Sequence, residues 1–216
     1  MNEHMMYRRS KRLFDGICAG SGLLVLSPVL LAVAALIKLD SEGPVFYKGL
    51  RVGLNGKPFR MYKFRTMVTK ADQIGGSSTP DDDPRITRMG RLLRSYKLDE
   101  LPQLINVVKG EMSLVGPRPQ VQWAVDLYTP QERRVLDVPP GMTDYASLRF
   151  PDEGRILKNS TDPDRDYMEK IHPEKMRLGL KYVEENSLWL DLSIIFKTIA
   201  AVAGVGRHSK HEEVPN

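Results

Sequence analysis

The chain has 216 residues, and its 32 lysine and arginine residues exceed its 27 aspartate and glutamate residues, giving a net charge of +5. This length fits one domain, alone or joined to a membrane element, and the basic excess favours an anionic partner such as a phosphorylated ligand, an anionic lipid or a nucleic acid. Cys18 is the only cysteine, which excludes a disulfide bond within the chain.

An uncharged segment, residues 16–37, dominates the N-terminal part of the chain. Its 22 residues would form a helix about 33 Å long, enough to cross the hydrocarbon core of a bilayer. However, Pro28 at its midpoint removes a backbone hydrogen bond, and basic residues on both flanks favour the cytoplasm for both ends. We therefore predict a re-entrant membrane helix, broken at Ser27 and Pro28, within a basic N-terminal unit of residues 1–40.

Two alternatives to the re-entrant helix stay open. A single spanning helix kinked at Pro28 has the same composition. A secretory signal peptide would end at a site such as Ala32-Val33-Ala34, although the apolar run continues past that site and is longer than the usual apolar core of a signal peptide.

The next segment has the pattern of a β-hairpin. Residues 45–47 and 58–67 are rich in aromatic and branched side chains, and Asn55-Gly56 lies between them. Asn-Gly is the strongest short hairpin signal. The sequence therefore predicts a small β-hairpin here.

Two cations in the second arm of this hairpin are candidates for binding a substrate. Strand alternation puts Lys63 and Arg65 on the same face, so both could reach the same anion, and arginine can bind two oxygens at once. A solvated strand edge would show the same pattern.

Three successive aspartates, residues 81–83, precede a basic segment. We interpret the aspartates as a solvated turn before a helix rather than as a cation site. Basic residues then recur at every third position, namely Arg85, Arg88, Arg91, Arg94 and Lys97. On a helix this spacing gives a basic stripe, which could face lipid phosphates, a ligand diphosphate or only solvent.

An acidic pair, Asp99 and Glu100, follows this stripe. Aspartate is a good N-cap and Pro102 is tolerated in a first turn, so the pair is typical of a helix start, with the helix running to about Lys109 and stopping at Gly110. The free N–H groups of a helix start suit phosphate. Asp99 could also be no more than a cap.

The rest of the chain contains one constrained arginine and two predicted helices. Arg118 lies between Pro117 and Pro119, so the backbone around its guanidinium group is fixed in advance. A helical pattern covers about residues 173–185. Residues 188–205 are mostly apolar, which predicts a helix lying on the membrane or against the core.

Several common site motifs are absent from the sequence, including a Walker P-loop, GxGxxG and HExxH. The four histidines have no metal-ligand spacing. No nucleic-acid-binding module accompanies the basic charge, so a nucleic-acid partner would rest on charge alone.

Several short motifs occur in a fixed order, at residues 11–15, 27–28, 43–46, 63–67, 83–87, 98–104 and 110–119. A pattern containing Tyr182 and Asp191 follows them. Together they resemble the bacterial sugar transferases, the monotopic polyprenol-phosphate phosphoglycosyl transferases, in their minimal catalytic form. The resemblance covers about residues 8–204, and its specificity comes from the ordered combination rather than from any single motif.

This resemblance implies a reaction at the cytoplasmic face of the bacterial inner membrane. A UDP-sugar would donate its phosphosugar to polyprenyl (undecaprenyl) phosphate, releasing UMP and leaving a polyprenyl diphosphosugar. In the family the aspartate of the dyad, here Asp99, is the nucleophile that forms a phosphosugar–enzyme intermediate, and the glutamate, here Glu100, helps to hold Mg²⁺. The matching cationic positions, which would bind the nucleotide, are Lys63, Arg65, Arg94 and Arg118.

One segment departs from the family pattern. Many members have Thr-Gly-Trp-Ala-Gln after the Pro-Gly turn, whereas residues 143–147 of this chain read Thr-Asp-Tyr-Ala-Ser. The donor sugar is therefore not carried over from the tryptophan-bearing members and stays open.

For the fold we expect an α+β class, mainly helical, with the broken re-entrant helix, amphipathic interface helices and the small β-hairpin. A cytoplasmic catalytic domain would cover residues 41–206, and a flexible tail residues 207–216. The expected partners are the UDP-sugar, polyprenyl phosphate and membrane lipid, without nucleic acid, and a homo-oligomer is compatible with the sequence. The alternative function is a non-enzymatic membrane-surface scaffold, which would explain the basic faces but not the dyad.

Overall fold

The first helix is the longest element of the chain. The structure, a computed structural model, describes residues 3–76 and 78–205. Helix α1, Glu3–Asp40, carries Pro28 in its interior. Within the described residues it is the one helix long and apolar enough to cross a membrane. Apolar side chains such as Leu24, which is 77% exposed, point away from the rest of the protein. Such a surface fits membrane association, and the re-entrant path stays a prediction.

The expected break at Ser27 and Pro28 does not divide the helix. Pro28 lacks the N–H group that would bond to the carbonyl of Leu24. Instead, the Ser27 hydroxyl donates a hydrogen bond to that carbonyl, with 2.7 Å between the oxygen atoms. Because this side chain replaces the missing backbone bond, α1 continues through the proline as one helix.

The predicted hairpin is confirmed. Strands β1, Phe46–Val52, and β2, Pro58–Phe64, pair antiparallel, with Gly49 opposite Met61. The turn between them has positive φ angles at Asn55, 55°, and Gly56, 74°. Asparagine and glycine tolerate this left-handed backbone best, which is why the Asn-Gly signal located the turn.

Helix α2, Arg88–Ser95, follows the hairpin, and Arg85 lies before its first turn. Arg85 is buried and donates hydrogen bonds to the buried Asp83 carboxylate at 2.6 and 2.9 Å. The expectation of a solvated aspartate turn is therefore wrong for Asp83, and Arg85 is not part of a helical stripe. A buried charge needs a partner, and the motif Asp-Pro-Arg supplies one.

Helix α3, Gln103–Lys109, ends at Gly110, whose φ of 82° gives the predicted left-handed stop. After it, β3, Ser113–Val115, pairs in parallel with β4, Gly141–Thr143. The remaining helices are α4 Gln122–Asp126, α5 Tyr145–Arg149, α6 Glu153–Ile156, α7 Pro163–Asp166, α8 His172–Glu185 and α9 Leu188–Val205. The chain is thus mainly helical α+β, as predicted, and the expected tail 207–216 lies outside the described residues.

The hydrophobic core places the acidic pair, Asp99 and Glu100, beside α1. Ala19 of α1 packs with Leu104 and Val107 of α3 and with Met61 of β2. Further along α1, Ile37 belongs to a second cluster, which joins β2 and α2 through the buried side chains of Phe64 and Leu93. These contacts fix the segment between α2 and α3, which carries the acidic pair, beside α1.

Helix α9 is held to α1 by a buried ion pair. The Lys11 ammonium group lies 2.7 Å from Oδ2 of Asp191, and Asp191 is 1% exposed. The hydroxyl groups of Tyr7 and Tyr182 also donate to this carboxylate, at 3.1 and 2.7 Å. The opposite face of α9 is open, with Trp189 83% exposed. Helix α9 therefore packs on the core along one face, and contact of the other face with lipid stays a prediction.

Candidate active site

The acidic pair lies in a short turn between two helices. Lys97 has a φ of 56°, in the left-handed region, so the chain turns away from the axis of α2 at this residue. A 3₁₀ turn, Leu98–Glu100, follows. The structure shows no side-chain cap at the start of α3, whose cap position is Pro102. The expectation that Asp99 begins the helix as its N-cap is therefore wrong. Since Asp99 is not used as a cap, its carboxylate is available for other chemistry.

The carboxylate of Glu100 is held by two cations. The Lys63 ammonium group donates to Oε1 at 2.8 Å, and Arg118 Nη1 donates to Oε2 at 3.1 Å. Arg118 Nη2 also donates to Oε1, which makes the arginine contact bidentate. Burial alone would raise the pKa of Glu100, but Arg118 and Lys63 hold that pKa well below its usual range. Glu100 is therefore ionised throughout the neutral range.

Asp99 has the opposite surroundings. It is 7% exposed, and within the described residues its carboxylate has no hydrogen bond or ion pair. Burial raises the pKa of Asp99, Lys63 lowers it in part, and the neighbouring Glu100 charge raises it again. A buried carboxylate without partners is a costly group to keep, and such groups are concentrated in active sites.

The position of Lys63 is set by α3. The buried Asn106 side chain accepts a hydrogen bond from the backbone N–H of Tyr62 at 2.9 Å and donates to the carbonyl of Arg60 at 2.8 Å. These bonds fix β2 to α3, so that Lys63, the next residue along the strand, comes to Glu100. Sequence reasoning missed Asn106, although a polar residue on the apolar side of a short helix was a usable signal.

The backbone around Arg118 is held by contact between two glycines. The N–H of Gly116 donates to the carbonyl of Thr143 at 3.0 Å, and the N–H of Gly141 donates to the carbonyl of Pro117 at 3.1 Å. A Cβ atom on Gly141 would lie 2.1 Å from the Gly116 nitrogen. Only glycine allows this approach, which places the proline-flanked Arg118 opposite Glu100.

The other two predicted substrate-binding arginines have different partners. Arg65 donates to the carbonyl and the hydroxyl of Ser41, at 2.7 and 3.0 Å, beside the C-terminal end of α1. Arg94 donates to the carbonyl of Thr79 at 3.2 Å, and its charge lowers the pKa of Asp99 in part. Lys63 and Arg65 therefore have different protein partners in this structure. The roles of Arg65 and Arg94 in binding substrate stay predictions.

An ion pair near Arg118, between the buried Lys175 and the partly buried Glu153, was also missed. The Lys175 ammonium group lies 2.9 Å from Oε1 of Glu153 and 5.1 Å from the centre of the Tyr167 ring. The charges of Arg118 and Lys175 help to hold the pKa of Glu153 below its usual range, against the effect of burial. These residues come from α6, from α8 and from a π-helix, Tyr167–Ile171, that directly precedes α8, and no periodic pattern in the sequence pointed to them.

Comparison with known protein families identifies the family of this chain. The family model described as Bacterial sugar transferase matches residues 6–204. The chain belongs to the bacterial sugar transferase family. The match includes α1 from residue 6 onward, the acidic pair, the Arg118 loop and all of α8, so the residues of the candidate site lie within the matched region.

Three curated relatives show the range of this family. The sugar transferase EpsL of Bacillus subtilis (strain 168) is 40% identical over 192 residues, 89% of this chain and 86% of that protein. The UDP-N-acetylgalactosamine-undecaprenyl-phosphate N-acetylgalactosaminephosphotransferase of Aeromonas hydrophila is 38% identical over 202 residues, 91% and 44% of the two chains. The UDP-glucose:undecaprenyl-phosphate glucose-1-phosphate transferase of Escherichia coli (strain K12) is 37% identical over 200 residues, 89% and 40%. The chain thus spans less than half of the latter two.

The carboxylates of this sugar transferase can be tested as metal ligands. The described residues contain no group of three His, Cys, Asp or Glu side chains that could hold a metal ion. Mg²⁺ does not require one, because it binds through one or two carboxylates together with phosphate oxygens of a substrate. The unpaired Asp99 carboxylate and Oε2 of Glu100, which accepts one hydrogen bond, retain free lone pairs. The residues present therefore fit a substrate-bound Mg²⁺.

Proposed function

We propose that this chain transfers a phosphosugar from a UDP-sugar to polyprenyl (undecaprenyl) phosphate, giving a polyprenyl diphosphosugar and UMP. The observation that carries the proposal is the unpaired, buried Asp99 next to a Glu100 that is paired with Lys63 and Arg118. The names of the Aeromonas and Escherichia relatives describe transfers of this type, which supports it. Such a reaction would be the first membrane step in assembling a glycoconjugate or polysaccharide.

The proposed reaction has two displacement steps at one phosphorus atom. In the first, an oxygen of the Asp99 carboxylate attacks the phosphorus that bears the sugar, and the bond from that phosphorus to UMP breaks with its electron pair leaving on UMP. In the second, an oxygen of polyprenyl phosphate attacks the same phosphorus and the bond to Asp99 breaks. The carboxylate is restored, so atoms and charge balance over the two steps.

The two cations at Glu100 have donors left for the substrate. An ammonium group has three N–H donors and a guanidinium group five. In the described residues Lys63 uses one donor and Arg118 two, all on Glu100. The remaining donors would bind and orient the diphosphate, while Glu100 fixes both side chains in position. Phosphoryl transfer depends mainly on such positioning and charge stabilisation.

The Mg²⁺ ion of this proposal would be held by Glu100, with Asp99 beside it and phosphate oxygens completing its ligands. When bound, it would neutralise charge on the diphosphate and on the departing UMP. A direct test is the dependence of UMP release on Mg²⁺ concentration in wild type and in Glu100→Gln. The proposal expects a higher Mg²⁺ requirement in the variant, and an unchanged requirement would contradict the role of Glu100.

The decisive experiment measures UMP release from a panel of UDP-sugars, with undecaprenyl phosphate and Mg²⁺, by the purified chain in detergent. Wild type is compared with Asp99→Asn and with Asp126→Asn, which makes the same change at an exposed aspartate of α4. We expect release with at least one sugar, a loss of about a thousand-fold or more in Asp99→Asn, and no change in Asp126→Asn. Undiminished activity of Asp99→Asn would overturn the proposal. Liposome binding without turnover for any sugar would support the scaffold function instead.

Membrane topology is part of the same proposal. The helix would bend at Pro28 while staying continuous, and both ends of α1 would lie at the cytoplasmic face, so the protein would enter the bilayer without crossing it. The test uses single-cysteine variants Arg9→Cys and Lys48→Cys in a Cys18→Ser background, with a membrane-impermeant maleimide added to spheroplasts. We expect no labelling of either site until the membrane is opened. Labelling of one site from outside would show a spanning helix.

A further inference from the structure

Gln103 is the first residue of α3 and lies one turn beyond the dyad. It comes three residues after Glu100 and four after Asp99, the spacings at which side chains along a helical path are neighbours. The path is continuous, because Leu101 and Pro102, which connect the 3₁₀ turn to α3, both have right-handed helical backbone angles. This spacing puts Gln103 on the same side of the helical path as Asp99 and Glu100.

The amide group of Gln103 is buried without a partner. The residue is 1% exposed, and its Nε2 atom has no hydrogen bond within the described part of the chain. The other buried amide of α3, Asn106, has partners for both its oxygen and its nitrogen. A buried donor without an acceptor costs free energy, and its retention calls for an acceptor supplied from outside the protein.

We propose that Gln103 is a further catalytic residue, whose side-chain N–H group donates a hydrogen bond to a non-bridging oxygen of the phosphoryl group under attack by Asp99. This inference rests on the proposed function. In phosphoryl transfer, negative charge is spread over the three equatorial oxygens of the transferred group, so each oxygen can use a fixed donor. An uncharged amide supplies one without adding a cation beside Asp99, whose ionised form is the nucleophile.

The test replaces Gln103 by methionine, which keeps the length of the side chain and removes the donor. Its matched control is Gln131→Met, the same change at an exposed glutamine. The measurement is the rate of the first UMP released, by rapid quench, together with the unfolding temperature. We expect a rate about 100-fold lower in Gln103→Met with an unfolding temperature equal to or above that of wild type, and no change in Gln131→Met. An unchanged rate would overturn the inference, as would a lower rate with a lower unfolding temperature, which indicates a structural role.

A second variant distinguishes hydrogen-bond donation from a purely structural role of Gln103. Gln103→Glu keeps the shape and replaces the donor by a carboxylate, which regains an O–H donor when protonated. We expect the ratio of its UMP release rate to that of wild type to rise as the pH is lowered. A ratio independent of pH would contradict donation from this position. If wild type itself releases no UMP, the proposed function fails, whereas active Gln103 variants beside an active wild type refute only this inference.

Discussion

Asp99 and Glu100 are adjacent in the chain and have opposite electrostatic surroundings. Glu100 accepts hydrogen bonds from Lys63 and Arg118, while Asp99, next to it, accepts none within the described residues. The pKa of Glu100 is accordingly lowered and the pKa of Asp99 raised. Two carboxylates with separated pKa values take different roles in many active sites, one as the reacting group and one as a fixed charge.

The first prediction concerns the stability of Asp99→Asn. Because the pKa of Asp99 is raised on folding, the folded state holds this proton more tightly than the unfolded state, and its ionisation destabilises the protein as the pH rises. We expect Asp99→Asn to unfold at a higher temperature than wild type at pH 7. The difference should disappear near pH 3, where Asp99 is protonated in both states. The same stabilisation at all pH values would show that the carboxylate charge is not its cause.

The second prediction concerns Glu100→Gln, which should destabilise the protein, whereas Asp99→Asn should stabilise it. The pKa of Glu100 is lower in the folded state than in the unfolded state. Its ionised form therefore stabilises the fold at pH values above the pKa of the unfolded state, and this stabilisation is lost as the pH falls through the pKa of the folded state. Neutralising one partner leaves two cations poorly compensated in a partly buried site, so we expect a loss of about 2–3 kcal/mol in the free energy of unfolding at pH 7. Denaturant unfolding in detergent measures it. Glu184→Gln, which breaks the exposed pair with Arg134, is the control and should cost less than about 0.5 kcal/mol.

The third prediction concerns the glycine contact behind Arg118. Gly141→Ala would place a Cβ atom 2.1 Å from the Gly116 nitrogen. Since backbone atoms on both sides must move, the Arg118 loop should shift, and a displacement of this kind can lower turnover about 100-fold. Gly20→Ala adds the same methyl group to α1 where no atom lies within 4 Å. Equal UMP release by both variants would show that the glycine contact does not position the arginine.

The fourth prediction concerns the attachment of β2 to α3. Asn106→Leu keeps the volume of the side chain and removes its bonds to the Tyr62 N–H and the Arg60 carbonyl. Two backbone groups of β2 lose their partners at a partly buried position, so we expect a loss of about 2 kcal/mol in the free energy of unfolding. Glu111→Gln keeps an acceptor for Asn106 and should leave the free energy nearly unchanged. Equal stability of the two variants would show that water can replace the Asn106 amide as the partner of the Tyr62 N–H and the Arg60 carbonyl.

Local patterns predicted most elements of the fold. The Asn55-Gly56 turn, the left-handed stop at Gly110 and the extent of α9 were correct because each depends on residues close together in the sequence. The uninterrupted α1 was not foreseen, because a local serine hydroxyl compensated for the proline.

The candidate site was predicted only in part. Asp99, Glu100, Lys63 and Arg118 were identified through the family resemblance, and the structure brings the latter three together. Arg65 could not be placed in advance, because strand alternation gives the direction of a side chain but not the distant carbonyls it meets. Ion pairs such as Lys175 with Glu153 likewise depend on tertiary contacts that no spacing encodes.

The ion pair between Lys11 and Asp191 joins residues 180 positions apart. Since synthesis proceeds from the N-terminus, α1 is made first, and Lys11 then has Asp15 of its own helix, 4.0 Å away, as its ion-pair partner. The closer pair with Asp191 can form only after nearly the whole chain has been made. A ribosome-bound chain stopped before α9 would contain Asp99, Glu100, Lys63 and Arg118 but not Asp191, so we expect the candidate site to be able to form before α9 is joined to α1.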